Sequence, residues 1–143
     1  MQQAEITFLV RATGPDLHLS VILDGQEIQD LEPSAEDQKI SVQINDDVES
    51  EHCLSLVMSG KQIDHTKIDE QGQILEDRVI EITGVRIDDI ELGYVFTQTA
   101  KYTHDHNGTS DPATVTFYGT MGCNGQVDFR FNTPVYLWLL ENM

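Results

Sequence analysis

Apolar residues recur at every second position along much of this chain, and that period limits what it can fold into. The run Leu17-His18-Leu19-Ser20-Val21-Ile22-Leu23 places Leu17, Leu19, Val21 and Leu23 on one side. Ile40, Val42 and Ile44 repeat the pattern, and Leu54, Leu56 and Met58 continue it. Successive side chains of a strand point to opposite faces, so each run builds one apolar face of a sheet. Residues 6–10, 79–82, 85–87, 114–118 and 126–131 are similarly short and rich in β-branched or aromatic side chains. Gly14-Pro15, Asp24-Gly25, Asn45-Asp46-Asp47 and Glu70-Gln71-Gly72 punctuate them. Asp24-Gly25 and Asn124-Gly125 are hairpin-type dipeptides, because glycine takes positive φ without penalty. Gly84 is expected to divide two strands, residues 97–103 show no helix-forming bias, and residues 104–108 read as a loop. Residues 135–140, after Pro134, fit either a terminal strand or a short helix. The pattern predicts an all-β fold, an antiparallel β-sandwich of jelly-roll type. At 143 residues a single domain spanning 1–143 is expected, with 45–51 as its weakest internal boundary.

Charge narrows the partners. Twenty-five Asp and Glu stand against eight Lys and Arg, a formal net charge of −17. Such a chain is repelled by nucleic acid and by anionic lipid unless a basic patch intervenes, and the eight cations are scattered. No apolar run approaches the ~18–20 residues needed to span a bilayer. The first residues lack a basic segment, so no cleaved signal peptide is expected. The charge is also uneven. Residues 24–51 carry ten acids against Lys39 alone, whereas residues 112–140 carry only Asp128 and Arg130. An uncharged stretch of that length belongs to a core or to an interface.

Few constellations carry chemistry. The two cysteines, Cys53 and Cys123, are far apart and form no metal spacing, so two free thiols are expected, Cys53 as an inert core thiol. His104-Asp105-His106 would put two imidazoles on one side of an extended segment, with Asp64 or His65 completing a zinc-type site. Acidic loops offer oxygen for calcium instead: Asp69 and Glu70 with Asp64, or Asp88 and Asp89 with Glu91. None has the EF-hand spacing. Neither a nucleophile elbow nor a phosphate-cradling glycine loop is present, so an enzyme is not expected. Aromatic side chains stack sugars on some sandwiches, and Tyr94 and Tyr102, beside polar turns, are the candidates; Phe117, Phe129 and Phe131 read as core.

One set of landmarks is more specific. It comprises His52-Cys53-Leu54-Ser55-Leu56-Val57-Met58-Ser59-Gly60-Lys61, His65-Thr66-Lys67-Ile68-Asp69 and Ile87-Asp88-Asp89-Ile90. Tyr102-Thr103-His104-Asp105-His106-Asn107-Gly108, Phe117-Tyr118-Gly119-Thr120-Met121-Gly122-Cys123-Asn124-Gly125 and the segment from Pro134 to Met143 continue it. Together, over residues 51–143, they resemble small proteins encoded by large marine tailed phages of the cyanophage kind. The resemblance implies a virion setting, with synthesis in the host cytoplasm, and brings no catalytic residues. A fainter resemblance is to calcium-dependent carbohydrate-binding modules, without a match to their ligand residues. The leading expectation is a non-enzymatic virion protein, a capsid decoration or tail-associated subunit. It would contact other virion proteins, or itself as a homotrimer, through Tyr136, Trp138, Leu139 and Leu140. The alternative is a carbohydrate-binding module, calcium-assisted, that attaches to a host-surface glycan.

Overall fold

A computed structural model describes residues 3–62, 67–105, 108 and 111–142. In chain order it contains β1 (Gln3–Ala12), β2 (His18–Leu23), β3 (Gln26–Leu31), β4 (Gln38–Asn45), β5 (Ser50–Ser59), β6 (Lys67–Ile68) and β7 (Ile74–Glu76). Then come β8 (Ile80–Ile87), β9 (Ile90–Glu91), α1 (Tyr94–Thr99), β10 (Lys101–His104), β11 (Ala113–Thr116), β12 (Thr120–Met121), β13 (Gly125–Thr133) and α2 (Val135–Asn142). One sheet runs β12-β8-β1-β4 with β9 beside β8, a second runs β11-β10-β13-β5-β2-β3, and β6 and β7 form a separate ribbon. The pairings are antiparallel, which gives the expected sandwich.

The period-two pattern is what fills the space between the sheets. Phe8 pairs with Ile40, Ile6 with Val42 and Ala4 with Ile44 on one inner face. Val127 pairs with Leu56 and Phe129 with Leu54 on the other. All ten side chains are at most 2% exposed, and each large one contributes roughly 1.5–3 kcal/mol by leaving water. An aromatic cluster closes one end, where Phe96 packs on Phe117 and Phe129, and Trp138 on Phe129 and Phe131. The buried residues before position 45 and those after position 51 belong to the same hydrophobic cluster.

Asp24-Gly25 turns β2 into β3 with both residues at positive φ, +51° and +82°, as the dipeptide predicts for a primed hairpin turn. Other expectations need correction. Gly84 does not divide two strands: at φ +63° it forms a bulge inside β8, where the register with β1 shifts between Thr7 and Leu9. Asn124-Gly125 is not a hairpin turn between β11 and β13, because β11 pairs with β10, and β13 lies between β10 and β5. The Asn124 amide instead accepts from the Lys61 N–H (2.9 Å) and donates to the Lys61 carbonyl (2.8 Å), like one rung of a ladder. Helix α1 occupies a stretch without helical bias and has no side-chain cap; burial of Val95 and Phe96 outweighs its poor propensity. Of the two forms open to the C-terminal segment, the helix is realised.

Candidate functional site

The outer face of the larger sheet is built by the polar positions that alternate with its core. Along β13, Val127, Phe129 and Phe131 point inward, and Gln126, Asp128, Arg130 and Asn132 point outward. The register sets Gln126 beside Val57, Asp128 beside Ser55, Arg130 beside Cys53 and Asn132 beside Glu51. From the other side β10 brings Thr103 to Gln126 and Lys101 to Asp128. Three open hollows follow this strand. The first, about 600 Å³, is lined by Thr103, His104 and Asp105 together with Gln126 and Asp128. The second, about 440 Å³, shares Gln126 and Asp128 and adds Ser55, Cys53, Asp24 and Arg130. The third, about 410 Å³, shares Asp24, Cys53 and Arg130 and adds Glu51 and Asn132. Shared walls make them one trough.

Asp128 is the fixed point of this trough. Its Oδ1 accepts from Ser55 Oγ (2.7 Å) and Gln126 Nε2 (2.8 Å), with the Cys53 thiol at 3.8 Å. Among the described residues these bonds leave Oδ2 to accept from an incoming group. Neighbouring Arg130 and Lys101 supply donors, and the Gln126 amide supplies an acceptor and a second N–H, with the Thr103 hydroxyl shared with Thr114 at 2.8 Å. The face therefore sets fixed acceptors and donors side by side along one line.

At the far end, His52 bridges Asp24 (Nδ1–Oδ2, 2.7 Å) and Thr133 (Nε2–Oγ1, 3.2 Å). The order is that of a catalytic triad, but the third member does not fit the role. Thr133 is 2% exposed and its hydroxyl donates to the Val48 carbonyl at 2.6 Å. The arrangement ties β5 to β13 and to the β2–β3 turn.

The sequence-derived candidates separate. His104 lines the trough with its ring 4.6 Å from that of Tyr102, and Asp105 Oδ1 accepts from the Gly108 N–H at 2.8 Å. Asp69 is committed elsewhere, accepting from the N–H groups of Gln71 and Gln73 at 2.9 Å each in the β6–β7 turn. Asp64, His65 and His106 lie outside the described residues. Among the described residues no three His, Cys, Asp or Glu side chains come together as a metal site. Asp88 is also engaged, accepting from the Glu5 N–H and from the Tyr136 hydroxyl, both at 3.0 Å.

Tyr94 is 72% exposed on α1, where its hydroxyl accepts from Gln98. Tyr102 is not a stacking platform: at 5% exposure it faces inward opposite Val127, and its hydroxyl donates to the Cys123 carbonyl. Burial pushes that phenol up to about 12. Of the expected interface residues, Trp138 and Leu139 are core, because helical spacing sets Val135, Trp138 and Leu139 on one side; Tyr136 and Leu140 remain outside. Cys53 is not a core thiol but faces the trough, since its parity opposes that of Leu54. Both cysteines are free, and burial raises the Cys123 thiol above its ordinary value. The residues missed from sequence, Ser55, Gln126, Asp128 and Arg130, were visible only as the polar half of alternating strands.

No family model matches the chain, and no curated protein does. Among solved structures of similar fold is the module vCBM60 in complex with galactobiose. It superposes with a TM-score of 0.50 at 12% identity, covering 87% of this chain and 96% of that one. The selenomethionine form of vCBM60 gives 0.50 and 12%, covering 88% and 89%; it is described with an evolutionary link, by circular permutation, between two families of calcium-dependent carbohydrate-binding modules. At that identity the likeness is one of fold.

Proposed function

We propose that this chain is a non-catalytic carbohydrate-binding module that holds a glycan along the β13 trough. The observation that carries the reading is Asp128, a carboxylate fixed through one oxygen in an open groove and flanked by amide, hydroxyl and guanidinium groups. Sugar hydroxyls both donate and accept, and fixed polar groups at the wall of a groove are what orient such a ligand. The shared fold with vCBM60, solved with galactobiose, supports the same class.

Calcium is described for that neighbour's families. The described carboxylates of this chain do not gather the roughly six to eight oxygens the ion takes; Asp69 and Asp105 accept within turns, and Asp88 holds Glu5 and Tyr136. The reading therefore runs through direct hydrogen bonds. A glycan array followed by calorimetry, with galactobiose as the first ligand, tests it. Asp128→Ala is expected to weaken binding by roughly ten- to a hundredfold, the loss of about 1.5–3 kcal/mol for bonds to a charged group. Binding should survive EDTA. Loss in EDTA would assign the glycan to a calcium-assisted site instead, and silence across the array would end the proposal.

A second reading, the virion subunit, draws support from α2, whose outer side leaves Tyr136, Leu137 and Leu140 45%, 60% and 74% exposed. It places a neighbouring subunit or two further copies there. Light scattering that finds a monomer at all concentrations, with Leu140→Glu unchanged in solubility, would remove that support.

A further inference from the structure

Outside the trough, Tyr118 is 82% exposed, and among the described residues nothing hydrogen-bonds its hydroxyl. Both neighbours are anchored. Phe117 is fully buried, with its ring 6.0 Å from that of Phe96 and its N–H donating to the Ala100 carbonyl at 3.2 Å. The Gly119 carbonyl accepts from Ile82 N–H at 2.7 Å. Tyr118 is thus held out on a rigid support, so that covering its ring would cost little backbone ordering.

Tyr118 lines a cleft of about 120 Å³ together with Phe96, Glu91, Thr83 and Thr97. An aromatic face beside a carboxylate and hydroxyls suits a ligand that is apolar on one face and hydroxylated at its edge. The geometry points to a second binding site here, for a single pyranose ring stacked on Tyr118 with its hydroxyls on Glu91 and Thr83. It shares no lining residue with the trough. The module would then hold glycan at two places, and linked binding events of this kind raise avidity without new contacts.

Amide spectra of the 15N-labelled full chain, titrated with methyl β-D-glucopyranoside and methyl β-D-galactopyranoside, test the site. Saturating shifts are expected at Gly84, Thr97 and Gly119. Tyr118→Ala should weaken the response roughly tenfold while Tyr118→Phe keeps it, since only the ring face is needed. Asp128→Ala should leave these shifts intact, so a silent trough and a silent cleft are separate results. Shifts absent from these amides for both sugars, unchanged by Tyr118→Ala, or abolished by Asp128→Ala would overturn the assignment.

Discussion

Tyr102 shows how one residue is decided by neighbours remote in sequence. It sits opposite the fully buried Val127 of β13, so the ring turns inward with that side chain. Its hydroxyl donates to the Cys123 carbonyl and accepts from the Cys123 N–H at 3.0 Å. Tyr102→Phe strands both backbone groups and should cost about 1–3 kcal/mol in urea denaturation. The pH dependence has a definite sign. Burial raises the folded phenol to about 12, above the unfolded value near 10. The native state therefore holds this proton longer than the unfolded chain. Its contribution is intact below pH ~10 and is lost as pH rises toward about 12, a slope Tyr102→Phe should lack in urea melts from pH 8 upward. Sequence alone placed Tyr102 beside a polar loop. Which of Tyr102 and Thr103 turns inward follows from the register that sets Tyr102 opposite buried Val127 and Thr103 opposite exposed Gln126, a pairing that local pattern does not encode.

Strands were legible wherever alternation was clean, as in β4, where Ile40, Val42 and Ile44 are all buried. The trough was half legible for the same reason: alternation marks outward residues but not which of them meet across strands, as Ser55 and Asp128 do. Helices were the weak point, because α1 and α2 are held by tertiary contacts. Helix α2 starts where the Val135 N–H donates to Asp46 Oδ1 at 2.8 Å, from a carboxylate only 5% exposed and remote in sequence. A carboxylate at a helix N-terminus satisfies an orphan donor and opposes the positive end of the helix dipole. Asp46→Ala should destabilise the fold by about 1–2 kcal/mol, and Asp46→Asn by less, read from thermal melts. The expected side effect is a looser Trp138, visible as a change in its fluorescence.

Across the whole molecule, the acidic stretch falls where the sheets are open. Residues 24–51 build β3 and β4, each at the end of its sheet. Edge strands expose unpaired backbone groups and invite other chains to pair, and charge beside them discourages it. Ten of the twenty-five acids thus fall in this stretch, two of them on β3 and the rest in the turns that flank β3 and β4 and at the start of β5, while β4 itself carries only Lys39. Near pH 4.3, the isoelectric point from sequence, that protection should fade. Light scattering across pH 7 to 4.3 is expected to show reversible self-association, relieved when pH returns to 7. The position of β1 has a temporal consequence. It lies between β4 and β8, so Ile6 pairs with Val42 on one side and with Ile87 on the other. While the chain emerges from a ribosome, β1 and β4 meet early, but the opposite flank of β1 waits for a partner far downstream. Such long-range pairing puts the domain among high-contact-order folders, on a scale of about milliseconds to seconds. During that interval the flank of β1 that β8 later covers stands bare, and this flank is not beside the acidic segment.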